Sequence, residues 1–83
     1  MVRVKLYGSV RKLAETPELN LTIREGMVLK DLIRQVVGDT AESQTRLISA
    51  ILVNGRNCAF RKGLETEIAD GDLVEMLPIV TGG

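Results

Sequence analysis

Eighty-three residues with 45% hydrophobic and 27% charged side chains make one small globular domain, which by surface scaling buries only about 63% of what its unfolded chain exposes. Eleven basic and eleven acidic residues cancel to zero formal charge, so no basic field is present to neutralise phosphates, and nucleic acid is excluded as a partner. The single cysteine and the absence of histidine exclude an internal disulfide, a four-cysteine metal site and any nucleophile activated by imidazole.

Val2, Val4 and Leu6 alternate with Arg3, Lys5 and Tyr7, the period of a half-buried strand and not that of a signal peptide. With the lone Cys58 pointing to a reducing compartment, and no run near the roughly 20 apolar residues that span a bilayer, a cytoplasmic protein without membrane association is expected. Gly8 to Glu18 holds Pro17 and mixed charges and reads as an irregular connection, with a helical turn around Val10 to Ala14. Leu19, Leu21 and Ile23 then alternate with Asn20, Thr22 and Arg24, a second strand positioned for a hairpin with the first.

From Val28 the apolar positions Val28, Leu29, Leu32, Ile33, Val36 and Val37 recur at three- and four-residue intervals, with Lys30, Asp31, Arg34 and Gln35 opposite. This is one stripe of an amphipathic helix over Val28–Val37, ended by Gly38. Met27 has no side-chain oxygen and is a poor N-cap. Asp39 to Ser49 is polar and irregular, with a further helical turn expected at Thr45 to Ile48. Ala50 to Val53 meets Asn54-Gly55, a strand followed by a turn dipeptide, with Arg56 to Phe60 as the return strand. Asp70-Gly71-Asp72 marks a second turn before a final strand, Leu73 to Leu77.

Two strands, a helix, short strands and a long last strand compose an α+β domain spanning residues 1–83, a mixed sheet of about five strands covered by one main helix. The order satisfies a β-grasp, the ubiquitin-like fold, in which the first and last strands lie side by side in the centre. The chain ends in Thr81-Gly82-Gly83 directly after that last strand. A flexible tail without Cβ atoms at its final two positions can thread a narrow catalytic channel of another protein.

Self-contained catalysis is not expected. The pairs Asp70/Asp72 and Glu65/Glu67 read as solvated surface groups rather than acid/base partners. Gly8, Gly26, Gly38, Gly55, Gly63 and Gly71 are scattered singly, so no phosphate cradle forms. Cys58, expected within a short strand, reads as a packed and inert thiol. Alternation places Tyr7 with Arg3 and Lys5, and Leu77 with Glu75, so two apolar side chains lie on the polar sheet face, which reads equally as a docking patch if the two strands are neighbours, as two isolated surface residues, or as a surface covered by the Asp39 to Ser49 loop.

Taken in order, the Val2–Arg11 opening, Glu25-Gly26 before a helix containing Asp31-Leu32, Val53-Asn54-Gly55, and Asp70-Gly-Asp-Leu-Val74 leading to Pro78-Ile-Val-Thr-Gly-Gly83 resemble the MoaD/ThiS family of ubiquitin-like sulfur carriers. The nearest likeness is to the small subunit of molybdopterin synthase and its archaeal modifier relatives. The chain departs from that family at Met27, Met76-Leu77 and Pro78-Ile79, where Ser or Thr, aromatics and two prolines are common. The resemblance implies that Gly83 carries the reactive carboxylate, which an ATP-dependent, E1-like adenylating enzyme activates and a sulfur donor converts to a thiocarboxylate. It implies as second partner the larger molybdopterin synthase subunit, which takes Val80, Thr81 and Gly82 into its channel and docks on Tyr7 and Leu77. No tightly bound cofactor and no metal are implied, ATP being used by the activating enzyme. The alternatives are a modifier that forms isopeptide bonds with target-protein lysines, a sulfur carrier for thiamine or tRNA thiolation, and a binding module whose glycines are incidental.

Overall fold

The computed structural model describes residues 1–13, 16–38 and 48–78. Five strands and one α-helix arise in the order β1 (Val2–Leu6), β2 (Glu18–Leu21), α1 (Leu29–Val37), β3 (Ile48–Val53), β4 (Arg56–Asn57) and β5 (Leu73–Pro78), with 3₁₀ turns at Gly8–Leu13, Cys58–Phe60 and Gly63–Glu65. The strands form one sheet in the order β2-β1-β5-β3-β4. β1 pairs antiparallel with β2 and parallel with β5, and β5 pairs antiparallel with β3. This is the β-grasp expected from the sequence, with the first and last strands adjacent at its centre.

The period-two pattern decides the faces. Val2, Val4, Leu6, Val74 and Met76 are buried on one side with Ile51 and Val53, and they meet Leu29, Leu32 and Ile33 of α1. With one Phe and one Tyr in the whole chain, this core is aliphatic, and at about 2–5 kcal/mol for removing a buried Leu or Ile side chain it is the main source of stability. Val28, Val36 and Val37 are only half-buried, so the predicted stripe is fully covered at Leu29, Leu32 and Ile33 and turns outward at both ends.

The helix begins one residue later than its apolar pattern suggests. Val28, not Met27, is the N-cap residue and offers no side-chain acceptor; Met27 is instead buried in the core. Two substitutes hold the first turn: the Asp31 carboxylate accepts the Val28 amide at 3.1 Å, and the Thr66 carbonyl accepts the Leu29 amide at 2.9 Å. Thr66 is itself buried, its hydroxyl donating to the Gly63 carbonyl at 2.6 Å. An orphan amide that a local Ser or Asp would ordinarily satisfy is thus satisfied from 37 positions away in the chain.

Three further expectations change. Gly8–Leu13 forms a 3₁₀ turn that starts earlier than the helical turn expected at Val10 to Ala14; Ala14 lies outside the described residues. β3 begins at Ile48, so that residue is strand and not the end of a helical turn; 39–47 lie outside the described residues. The register slips between Ile48 and Ala50, where Ile48 faces Pro78 and Ala50 faces Leu77. That bulge at Ser49 turns Ile48 inward to pack against the core, while Ala50 stays on the outer face. The return strand is shorter than expected. β4 covers only Arg56–Asn57, and Cys58 opens a 3₁₀ turn in which Asn57 Oδ1 accepts the Ala59 amide at 2.9 Å. No helix among the described residues is long and apolar enough to cross a membrane.

Candidate functional site

β5 is the central strand, flanked by β1 and β3, and it delivers the chain to one end of the sheet. Val80, Thr81, Gly82 and Gly83 lie outside the described residues. What can be described is the platform from which they depart: Tyr7 and Gly8 after β1, and Leu77 and Pro78 at the end of β5.

Tyr7 is 37% exposed and Leu77 is half-buried. The amide of Tyr7 donates to the Met76 carbonyl at 3.1 Å, which continues the β1–β5 register by one step and sets Tyr7 beside Leu77 on the outer face. The two residues singled out from alternation are therefore brought together. The Tyr7 hydroxyl donates to the Glu75 carboxylate at 2.6 Å. That bond, with lesser contributions from desolvation and the negative charges of Glu75 and Glu18, raises the phenol above its ordinary range. Tyr7 thus presents a neutral ring held by a charged acceptor. Beside it an open depression of about 320 Å³ is lined by Lys5, Tyr7, Gly8, Arg11, Pro17 and Glu18. Glu18 also pairs with Arg3 at 3.0 Å across β1 and β2.

The outer face carries more apolar surface than alternation suggested. Ala50 pairs with Leu77 and Leu52 pairs with Glu75, and Leu73 faces Arg3. Ala50, Leu52, Leu73 and Leu77 are all half-buried on the side opposite α1. A signal for this was present: Ala50-Ile51-Leu52-Val53 is a continuous apolar run, the mark of a strand whose two faces both carry apolar surface, and not of one with a solvated polar face.

Other candidate groups go to structural duties. Asp72 is not simply solvated, because its carboxylate accepts the Ala69 amide at 2.8 Å and the Asn54 side-chain amide at 2.9 Å. Asp70 pairs with the N-terminal ammonium group. Glu65 and Glu67 are exposed. Cys58 is buried, and burial lifts its thiol above the ordinary cysteine value, which opposes thiolate formation at neutral pH. Among the described residues there is no group of three or more His, Cys, Asp or Glu that could hold a metal ion.

A family model described as the ThiS family matches residues 4–83 of the chain. A candidate sulfur carrier protein of Archaeoglobus fulgidus is 53% identical over 89 aligned positions, covering 99% of this chain and 98% of that protein. Among solved structures, small archaeal modifier protein 1 of Methanosarcina acetivorans superposes with a TM-score of 0.76 at 30% identity, covering 99% of this chain and 95% of that one. A candidate molybdopterin converting factor subunit 1 of Pyrococcus furiosus superposes with a TM-score of 0.70 at 27% identity, covering 95% and 97%.

Proposed function

Because the chain belongs to the ThiS family, we propose that it is a sulfur carrier that works through the carboxylate of Gly83 and serves as the small subunit of a molybdopterin synthase. A carboxylate is a poor electrophile. Attack of its oxygen on the α-phosphate of ATP, in an E1-like adenylating enzyme, expels pyrophosphate and leaves an acyl-adenylate. A sulfur donor then displaces AMP at the carbonyl carbon, and the product is a terminal thiocarboxylate. That sulfur is a stored nucleophile, which the larger synthase subunit draws into its own active site and uses on a pterin precursor. The catalytic side chains belong to the partners, and this chain contributes a docking face and a tail.

The observation that carries the reading is the path of β5. The strand that ends at Pro78, five residues before Gly83, is the centre of the sheet and emerges beside the exposed Tyr7 and the half-buried Leu77. Five residues span at most about 17 Å, enough to reach into an enclosed site while the sheet face stays docked outside it. Val80, Thr81 and Gly82 are the residues that line the channel in this reading.

Incubation with the matching activating enzyme, ATP and a sulfur donor tests it. Intact-mass analysis is expected to show one terminal oxygen replaced by sulfur, and that species is expected to convert a pterin precursor once the synthase partner is added. The 30% identity to an archaeal modifier supports a second use of the same acyl-adenylate, isopeptide formation with lysines of other proteins. Gly-Gly remnants on lysines after protease digestion of cell extract, without any thiocarboxylate, would reverse the ranking.

A further inference from the structure

The end of the β1–β5 ladder is built differently from the rest. Arg3 of β1 donates its amide to the Asp72 carbonyl, and Tyr7, just past β1, donates to the Met76 carbonyl, both at 3.1 Å, in the parallel register that pairs Arg3 with Leu73 and Leu6 with Met76. In this parallel register the next donor, to the Tyr7 carbonyl, would be the amide of residue 78. That residue is proline and has no N–H. The Tyr7 carbonyl accepts the Val10 amide at 3.1 Å instead, which starts the Gly8–Leu13 turn. No ladder bond therefore holds residue 78 to β1.

A steric contact takes its place. Gly8 has φ of 55°, and a Cβ built on it would lie 2.8 Å from Pro78 Cγ, 3.5 Å from its Cβ and 3.6 Å from its Cδ. Carbon atoms in ordinary contact are about 3.5–4.0 Å apart, so the proline ring rests directly on the glycine backbone. Five other glycines, Gly26, Gly38, Gly55, Gly63 and Gly71, also have positive φ, yet a Cβ at any of them would meet nothing within 4 Å. Among these six, Gly8 is needed for space as well as for backbone conformation. On its other side Pro78 faces Ile48 of β3. Its ring fixes φ and keeps Leu77 extended, so the ring position sets the direction in which the chain leaves the sheet.

We propose that Gly8 is a positioning residue for the tail: by seating the Pro78 ring, it fixes the point at which β5 ends next to the strand positions of Tyr7 and Leu77. The inference rests on the reading of Gly83 as the activated residue. Misplacing a reacting group by about 1 Å can lower a rate by roughly a hundredfold; a tail five residues long absorbs part of such an error, so about a tenfold effect is expected.

The test is steady-state adenylation of the full chain by its activating enzyme, followed by ATP–pyrophosphate exchange, for wild type, Gly8→Ala, Pro78→Ala and the double variant, with thermal unfolding of each. The backbone strain of Ala at φ of 55° is common to both Gly8→Ala backgrounds, but the clash needs the proline ring. Gly8→Ala is expected to lower kcat about tenfold with KM for the carrier changed less than about twofold, and to lower kcat less than about twofold further once Pro78 is Ala. If Gly8→Ala alone fails to fold while the double variant folds, the contact serves the fold and the positioning role is overturned. Equal losses in both backgrounds, a loss confined to KM, unchanged kcat, or failure to fold in both backgrounds would overturn the proposal. A wild-type chain that is never adenylated, or one adenylated equally well without Gly83, would sink the carrier reading itself. Normal wild-type turnover with an unaffected Gly8→Ala sinks only the positioning role.

Discussion

The two ends of the sheet are constructed on opposite principles. At the end where β1 and β5 begin, hydrogen bonds interlock two turns. Asn54, at positive φ, donates its backbone amide to the Leu73 carbonyl at 2.8 Å, accepts the Leu73 amide on its side chain at 2.9 Å, and donates its side-chain amide to Asp72 at 2.9 Å. Gly71 adds a bond to the Met1 carbonyl at 2.9 Å. At the other end the ladder stops at a proline, a glycine lies under its ring, and a tyrosine ring stands exposed. The difference teaches where stability and function are kept. Register is enforced by hydrogen bonds at the closed end, and on the proposed carrier reading the open end is the one that docks.

The separation breaks if changes at the open end unfold the protein or changes at the closed end abolish activation. The largest expected effect is at the tail. Deleting Gly83 draws the carboxylate back by about 3.5 Å, and adenylation is expected to fall by more than about a hundredfold, with the melting temperature unchanged. A truncated chain that turns over normally would remove the central claim. Next comes the docking face: Tyr7→Asp or Leu77→Asp is expected to weaken binding to the larger synthase subunit by about 2 kcal/mol, roughly thirtyfold. Calorimetric titration beside thermal unfolding decides. Unchanged affinity with a collapsed melting temperature would place both residues in the fold's own packing.

At the closed end Asn54→Ala removes two side-chain hydrogen bonds and puts a Cβ-bearing residue without a polar side chain at φ of 53°. A loss of about 2 kcal/mol is expected, a drop of roughly 10 °C in melting temperature for a chain of this size. Adenylation measured below that temperature should be unaltered. Cys58→Ala, at a buried thiol that burial lifts above its ordinary value, is expected to cost about 1 kcal/mol of stability and leave sulfur transfer intact; a folded mutant that accumulates no thiocarboxylate would show that the thiol participates.

The smallest effect is a titration. The carboxylate of Glu75 accepts the Tyr7 hydroxyl bond, which raises the phenol above its ordinary 10.0. For an acid whose folded value is raised, the stabilising contribution is complete below the unfolded value and fades as pH climbs through the folded one, so the window lies in the alkaline range. Ultraviolet titration should find the single tyrosine ionising later than in the unfolded chain, and Glu75→Gln should move it back toward 10.0. No change in that variant would show that the Glu75 contact does not set the phenol's ionisation.

The alternation of Val2, Val4 and Leu6, the stripe at Leu29, Leu32 and Ile33, and the turns at Asn54-Gly55 and Asp70-Gly71-Asp72 were legible because each is a local property. A period or a turn preference is written within a few consecutive residues, and burial then follows it. The pairing of Tyr7 with Leu77 was legible only once the fold class set the first and last strands side by side. The outer face is larger than alternation at Tyr7 and Leu77 indicates, because Leu52 and Leu73 lie on it as well.

By itself the sequence determined the inner faces of the strands, the helix, the two turns and the chemical character of the tail, since side-chain period and backbone permissiveness do not depend on distant partners. The tertiary structure alone decided how the helix start is satisfied, through the Thr66 carbonyl, and where β3 slips, at Ser49. It also decided that Gly8, 70 positions from Pro78 in the chain, is the surface on which the proline ring rests. Each of these is a contact between segments far apart in sequence. Its two halves are unremarkable alone, and only the folded chain brings their carbonyls, amides and van der Waals surfaces within bonding distance.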